Sequence, residues 1–247
     1  MNRQAQAVVL FLVGGAVLRA GCTDLYLRYV KAGLRPFLLG AGIVLIATAM
    51  ATVWYELRRP RPPREERPEQ HEHDDGRGHS HREPRISWLL VLPLLALILV
   101  APPAPGSYSA MRTGTALQPP WGFPTLPAGN PLKLAVLDYA GRAAYDHGRS
   151  LGDRQVRITG FITLGPGGTP YLARMTLNCC AADAQPVKIG LSGRTPTTLR
   201  PDTWVEVTGT YTTRQAKDPV NDGVIPFISV TRVRAVPAPR EQYENSR

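Results

Sequence analysis

The chain has 247 residues, enough for one or two domains, and its 29 Lys/Arg against 19 Asp/Glu give a formal charge of +10. No basic run is interleaved with aromatic side chains, which argues against a nucleic-acid-binding protein and favours an anionic membrane surface as the partner of the excess charge. Three cysteines are too few for a disulfide framework.

Three apolar stretches precede residue 105, at about 4–23, 36–55 and 86–101. The second has no charged residue over its 20 positions, enough helix to cross about 30 Å of hydrocarbon. We expect the first to be a retained span, since it has no clear signal-peptide cleavage site. The sequence therefore predicts two transmembrane helices within residues 1–55 and a third within 86–104.

The intervening segment 56–85 carries eight arginines, more than the four basic residues of the first loop. The positive-inside rule predicts that 56–85 and the N-terminus are cytoplasmic. Everything after residue 104 is then extracytoplasmic.

Segment 56–85 is rich in proline and charge without apolar periodicity, which is typical of disorder. It holds four of the five histidines within eleven residues, interspersed with carboxylates. Imidazole is a good ligand for Zn²⁺ and similar ions. The segment predicts a low-affinity metal-binding loop, with a solvated polar linker as the alternative; its candidate ligands are His71, His73, His79 and His81.

Beyond the spans, proline-rich residues 105–130 read as an extended linker, 131–236 as a folded domain and 237–247 as a disordered tail. The domain begins with a helical pattern over 131–147, after which apolar and polar residues alternate with a period of two. Five short strands predict a membrane-anchored α+β protein with a small OB-like β-barrel and a preceding helix, an open sandwich being the alternative. The predicted strands are 155–164, 171–178, 186–191, 204–213 and 224–236, with a turn or short helix at 192–200.

Four stretches carry a family resemblance: residues 158–162, 171–174, 179–186 and 202–210. The most specific is Cys179-Cys180-Ala181-Ala182-Asp183-Ala184-Gln185-Pro186. Together they resemble the YcgQ-like family of bacterial membrane proteins, described as permease subunits with a C-terminal domain of unknown function. The resemblance implies a multi-span permease as partner and, for some members, a link to metal homeostasis; it implies no catalytic activity.

The adjacent cysteines carry most of the chemical interest. Successive side chains alternate along a strand, so the pair belongs at a strand end. Three roles stay open. In the first, Cys179, Cys180 and Asp183 bind Zn²⁺ or another thiophilic ion, and His147 or water completes the site. In the second, the two thiols form a strained vicinal disulfide; in the third, the stretch is structural, and Asp183 accepts turn hydrogen bonds or pairs with Arg174.

Together with the apolar spans and the candidate ligands, the resemblance implies a non-enzymatic accessory subunit of a membrane transport system, concerned with a divalent metal such as zinc. The alternative is a membrane-tethered redox protein that uses Cys179 and Cys180. Cys-x-x-Cys spacing is missing, and so is a phosphate-binding glycine loop, so neither thiol catalysis nor energy coupling is predicted.

Overall fold

The computed structural model describes residues 3–58, 95, 104–196 and 198–245. Two compact units divide the chain: the first holds residues 1–23 and 35–102, and the second holds 24–34 and 103–247. The predicted histidine loop and third span fall outside the described residues, apart from Leu95 and the end of helix α2. Both therefore stay predictions.

The first unit contains two long apolar helices, α1 (Arg3–Cys22) and α2 (Arg35–Arg58). Ala5–Cys22 and Ala32–Arg58 are long and apolar enough to cross a membrane by length and composition, which agrees with the first two predicted spans. Only 11% of the most apolar stretch of the second is buried, unlike the core helix of a soluble domain.

Helices α1 and α2 pack closely because glycine lies at their contact. A Cβ on Gly14 would lie 2.8 Å from Cγ1 of Ile46, and one on Gly42 would lie 2.7 Å from Cγ of Leu18. Small residues at such positions allow two apolar helices to approach and gain dispersion energy. The hairpin is therefore specified by its glycines as well as by its hydropathy.

The second unit is built on a closed five-stranded barrel. Its strands are β2 (Val156–Leu164), β3 (Pro170–Leu177), β4 (Gln185–Gly193), β5 (Trp204–Lys217) and β6 (Val224–Ala235). They pair in the cyclic order β2-β3-β4-β6-β5-β2, with only β4 and β6 parallel. This order is that of an OB-like barrel, which confirms the predicted β-barrel.

One bend of the barrel is set by Gly209. The β5–β6 register shifts between Thr208 and Gly209, the mark of a β-bulge. A Cβ on Gly209 would overlap the carbonyl oxygen of Ser229, so only glycine fits there. A glycine inside an otherwise regular strand is typical of such a bend.

A helix closes one end of the barrel core. Helix α4 (Val136–Tyr145) is shorter than the predicted 131–147 because β1 (Leu132–Lys133) pairs in parallel with β2 just before it. Val136, Tyr139, Ala140 and Ala143 are all at most 1% exposed, which is the i, i+3, i+4, i+7 pattern of an amphipathic helix. Burying each large apolar side chain stabilises the fold by about 1.5–3 kcal/mol.

The predicted extended linker 105–130 is wrong in part. Helix α3 (Ser107–Arg112) buries Ala110 completely, and Ser107 donates its N–H and hydroxyl to the two carboxylate oxygens of Asp202 at 2.6 and 2.7 Å. Next along the chain, the Thr113 carbonyl accepts from Lys188, and the Thr115 N–H donates to Asp218. The segment joins the domain because its backbone groups satisfy buried charges.

The predicted disordered tail 237–247 is also wrong in part, because β7 (Tyr243–Asn245) pairs in parallel with β3. Tyr243 is buried, and Glu244 accepts the N–H groups of Val136 and Leu137 at 2.9 Å each, which caps α4. Between β4 and β5 the described residues contain no helix, so that connection is a turn.

Candidate metal centre

The Cys-Cys stretch lies in the tight connection between β3 and β4. Strand β3 ends at Leu177, and a single 3₁₀ turn over Ala181–Asp183 returns the chain to β4. Cys180 is extended (φ −149°, ψ 168°) and precedes this turn, whose Asp183 N–H donates to the Cys180 carbonyl at 3.0 Å. The prediction that the pair lies at a strand end agrees with this position.

Asp183 organises the turn through its carboxylate. One oxygen accepts the N–H of Asn178 at 3.0 Å, and the other accepts the N–H of Cys179 at 2.9 Å. The second oxygen also lies 3.1 Å from Sγ of Cys179 and accepts its S–H. The predicted turn-bonding role of Asp183 therefore describes the geometry, whereas Arg174 donates instead to the Glu241 carbonyl at 2.7 Å.

These contacts shift the pKa values of both groups. The S–H and N–H of Cys179 hold the pKa of Asp183 below its ordinary value, because they stabilise the carboxylate. The pKa of Cys179 is raised to about 11, mainly by the hydrogen bond from its thiol to Asp183 and next by its hydrogen bond with Cys180. The turn at neutral pH therefore pairs a carboxylate with a protonated, solvent-exposed thiol.

The three side chains converge on one point. The sulfurs of Cys179 and Cys180 and a carboxylate oxygen of Asp183 all lie within 4.8 Å of one another. In tetrahedral zinc sites the Zn–S distance of about 2.3 Å places two sulfur ligands about 3.8 Å apart. The two thiols thus lie within about an ångström of the separation that one ion requires, and two sulfurs with one carboxylate suit a thiophilic divalent cation.

Among the described residues, this group of potential ligands contains only Cys179, Cys180 and Asp183. His147, the predicted completing ligand, follows α4 with a φ of 51° and is not part of the group. Three protein ligands leave a position for water or an incoming donor, as in zinc sites that exchange ligands. Both thiols are free, so the vicinal disulfide of the sequence analysis is not formed.

The Cys-Cys turn is bound by a segment distant in sequence. Residues 24–34, which connect α1 to α2 and belong to the second unit, form an isolated antiparallel bridge that pairs Val30 with Cys180. Lys31 donates its N–H to the Cys179 carbonyl at 3.1 Å, and Ala181 donates its N–H to the Tyr29 carbonyl at 2.7 Å. We call residues 24–34 the docked loop.

Two further contacts extend the attachment of the docked loop. The hydroxyl of Tyr243 on β7 donates to the Arg28 carbonyl at 2.9 Å. The guanidinium of Arg240 lies 3.5 Å from the carboxylate of Asp24, although both side chains are largely exposed. The loop is thus held on both sides of Cys180 and again at the C-terminal strand.

A groove of about 1060 Å³ opens beside the turn. Its walls are the segment 116–124, one side of α4 and the ends of β3 and β4, and Asp183 and Asn178 contribute to its lining. Trp121 at its rim is fully exposed. Asp183 therefore faces a space large enough to admit solvent or a small donor molecule.

These features define a class: an apolar helical hairpin followed by a five-stranded barrel domain with a thiol-carboxylate turn. Within that class, residues 141–244 carry a DUF1980 C-terminal domain. This match covers the barrel and the Cys-Cys turn, and it fits the resemblance to a YcgQ-like family with an uncharacterised C-terminal domain. No curated protein and no solved structure matches the chain.

Sequence reasoning missed the docked loop altogether, because a bridge between residues 30 and 180 leaves no local pattern. It also missed the buried pair Lys188–Asp218. A lone lysine between Val187 and Ile189 in an apolar strand was the available signal, since such a side chain needs a partner if the strand is buried on both faces.

Proposed function

We propose that this protein is a membrane-anchored accessory subunit of a transport system whose barrel domain binds a thiophilic divalent cation, zinc by the chemistry of the ligands. The observation that carries the proposal is the convergence of Cys179, Cys180 and Asp183 within 4.8 Å. The open fourth position suits an ion that is received and passed on.

The raised pKa of Cys179 is compatible with metal binding, because the cation replaces the proton. Asp183 holds the thiol proton by hydrogen bonding and by its negative charge. The same negative charge attracts a cation, and a coordinating thiol loses its proton to the metal. A scarce thiolate is less favourable for the alternative redox function, which stays a prediction.

Zinc binding by the full-length chain in detergent tests the proposal. The wild type should bind one Zn²⁺ per chain in equilibrium dialysis, and Cys179→Ser/Cys180→Ser should bind none with comparable affinity. Cys22→Ser is the matched control, because Cys22 is also an exposed free thiol but lies in α1. Equal binding by all three proteins would show that the turn is not the site.

The proposed location is the bacterial plasma membrane, with α1 and α2 as anchors and the barrel domain outside the cytoplasm. The support is that the docked loop folds with the barrel domain. A hydrogen-bonded loop and domain lie on the same side of a bilayer, and the first loop has the fewer basic residues. The proposal requires a further crossing between α2 and α3, for which 86–101 is the candidate.

The proposed partner is a multi-span permease. Its support is the family resemblance and the large apolar side chains that α2 exposes, among them Phe37, Ile43, Val44 and Trp54. Purification of the tagged chain in mild detergent should recover such a permease in stoichiometric amount. Recovery of the chain alone under conditions that keep other membrane complexes intact would count against it.

A further inference from the structure

The docked loop bonds to the backbone on both sides of one candidate ligand. Its Lys31 N–H reaches the Cys179 carbonyl, and its Tyr29 carbonyl receives the Ala181 N–H. Between these two bonds lies Cys180, which is bridged to Val30. The position of the Cys180 backbone, and with it the direction of its side chain, therefore depends on the loop.

The turn is also held from within by Asp183, which accepts the N–H groups of Asn178 and Cys179. Cys179 thus has its N–H bonded to the turn and its carbonyl bonded to the loop. The peptide between the two cysteines includes the Cys179 carbonyl, so a rotation of this peptide disturbs its bond to Lys31. An ion that draws the two sulfurs together acts on the same peptide.

Preorganised ligands bind an ion more tightly than ligands that must be ordered first. If the loop orders the ligands, then by thermodynamic linkage the bound ion must stabilise the docking of the loop by the same factor. This coupling needs no long path, because the interacting groups are adjacent in the hydrogen-bonded bridge.

We propose that ion binding at Cys179, Cys180 and Asp183 and docking of residues 24–34 stabilise each other. This inference rests on the proposed function and adds its regulation: occupancy of the site is transmitted to the connection between α1 and α2. The two helices are covalently continuous with the loop at Cys22 and Arg35. A change at the turn is thereby a change in the restraint on the loop that joins them.

The test compares two substitutions at one position in the full-length chain in detergent. Lys31→Pro removes the N–H that bonds Cys179, whereas Lys31→Ala keeps it and removes only the side chain. We expect Lys31→Pro to weaken Zn²⁺ binding by about fivefold or more, and Lys31→Ala to change it by no more than about twofold. Val30 before it is extended, the conformation that a following proline prefers.

Hydrogen exchange of the wild-type chain with and without Zn²⁺ supplies a readout that needs no variant. Zn²⁺ should slow exchange in peptides that cover 29–31 and 179–181, and leave those covering β5 and β6 unchanged. If the wild type binds Zn²⁺ while loop exchange stays the same and Lys31→Pro binds as tightly as Lys31→Ala, the coupling is overturned and the metal site stands. If the wild type binds no Zn²⁺, the metal site and the coupling are both contradicted.

Discussion

At the scale of single residues, the barrel domain contains a fully buried ion pair, Lys188–Asp218. Their charged atoms lie 2.7 Å apart and both side chains are fully buried. Lys188 also donates to the Thr113 carbonyl, and Asp218 accepts from Thr115 and Val220. The pair is thus the point at which residues after α3 are fixed to the barrel.

Lys188→Met should destabilise the domain by about 3–5 kcal/mol, because it leaves the Asp218 carboxylate buried without its counter-charge. Denaturant unfolding followed by tryptophan fluorescence measures the loss. Arg234→Met is the matched control: Arg234 pairs with Glu206 at 3.1 Å on the surface, where such a pair contributes at most about 1 kcal/mol. Equal losses in the two variants would contradict this account of the buried pair.

The Cys179–Asp183 contact bears on two possible functions, a reactive thiol and a metal site. A raised thiol pKa argues against a nucleophile, yet the carboxylate that raises it would be the third ligand of the proposed cation. Adjacent cysteines and a nearby aspartate were visible in the sequence. The sequence also predicted turn hydrogen bonds to Asp183, but it did not show that the three ligand atoms converge, which depends on the geometry of the 3₁₀ turn at Ala181–Asp183.

At the scale of elements, the strands were predictable because alternation of apolar residues is a direct consequence of strand geometry. Strand β2 begins at Val156, one residue from its expected start, and β6 begins at Val224 as expected. Strand β5 extends to Lys217, beyond the expected end at residue 213. Its last residues are mostly exposed and lack an apolar face, so the apolar pattern did not predict them as strand. Pairing with β6 decided that end.

The elements that sequence reasoning missed are short and held by distant partners. Strand β7 has three residues, too few for a periodic pattern, and exists because β3 offers it an edge. Helix α3 lies among prolines and glycines, which suggested a linker. Its first residue, Ser107, is fixed by Asp202, which is 95 residues further along the chain. Both cases depend on tertiary contacts that no local window contains.

At the scale of the whole molecule, the docked loop constrains topology. It connects α1 to α2 and is hydrogen-bonded to the barrel domain. If α1 and α2 span a membrane, the loop and the barrel domain therefore lie on the same side of it. We expect Gly33→Cys in the loop and Val220→Cys in the domain, each in a background lacking the native cysteines, to react with an impermeant maleimide in intact spheroplasts. Both sites are exposed.

Arg58→Cys at the end of α2 is the matched control, since it should react only after the membrane is permeabilised. Labelling of Gly33→Cys and Val220→Cys from opposite sides would contradict the docking of the loop in the membrane-bound protein. Labelling of all three from outside would contradict α2 as a span. The expected pattern also requires one further crossing between residues 58 and 104.

The Zn²⁺ content of the full-length chain tests most directly whether the Cys-Cys turn is a metal site. After dialysis against free Zn²⁺, we expect one ion per wild-type chain, one per Cys22→Ser chain and none per Cys179→Ser/Cys180→Ser chain. A wild-type chain without zinc, or a double variant that keeps its ion, would contradict the metal site.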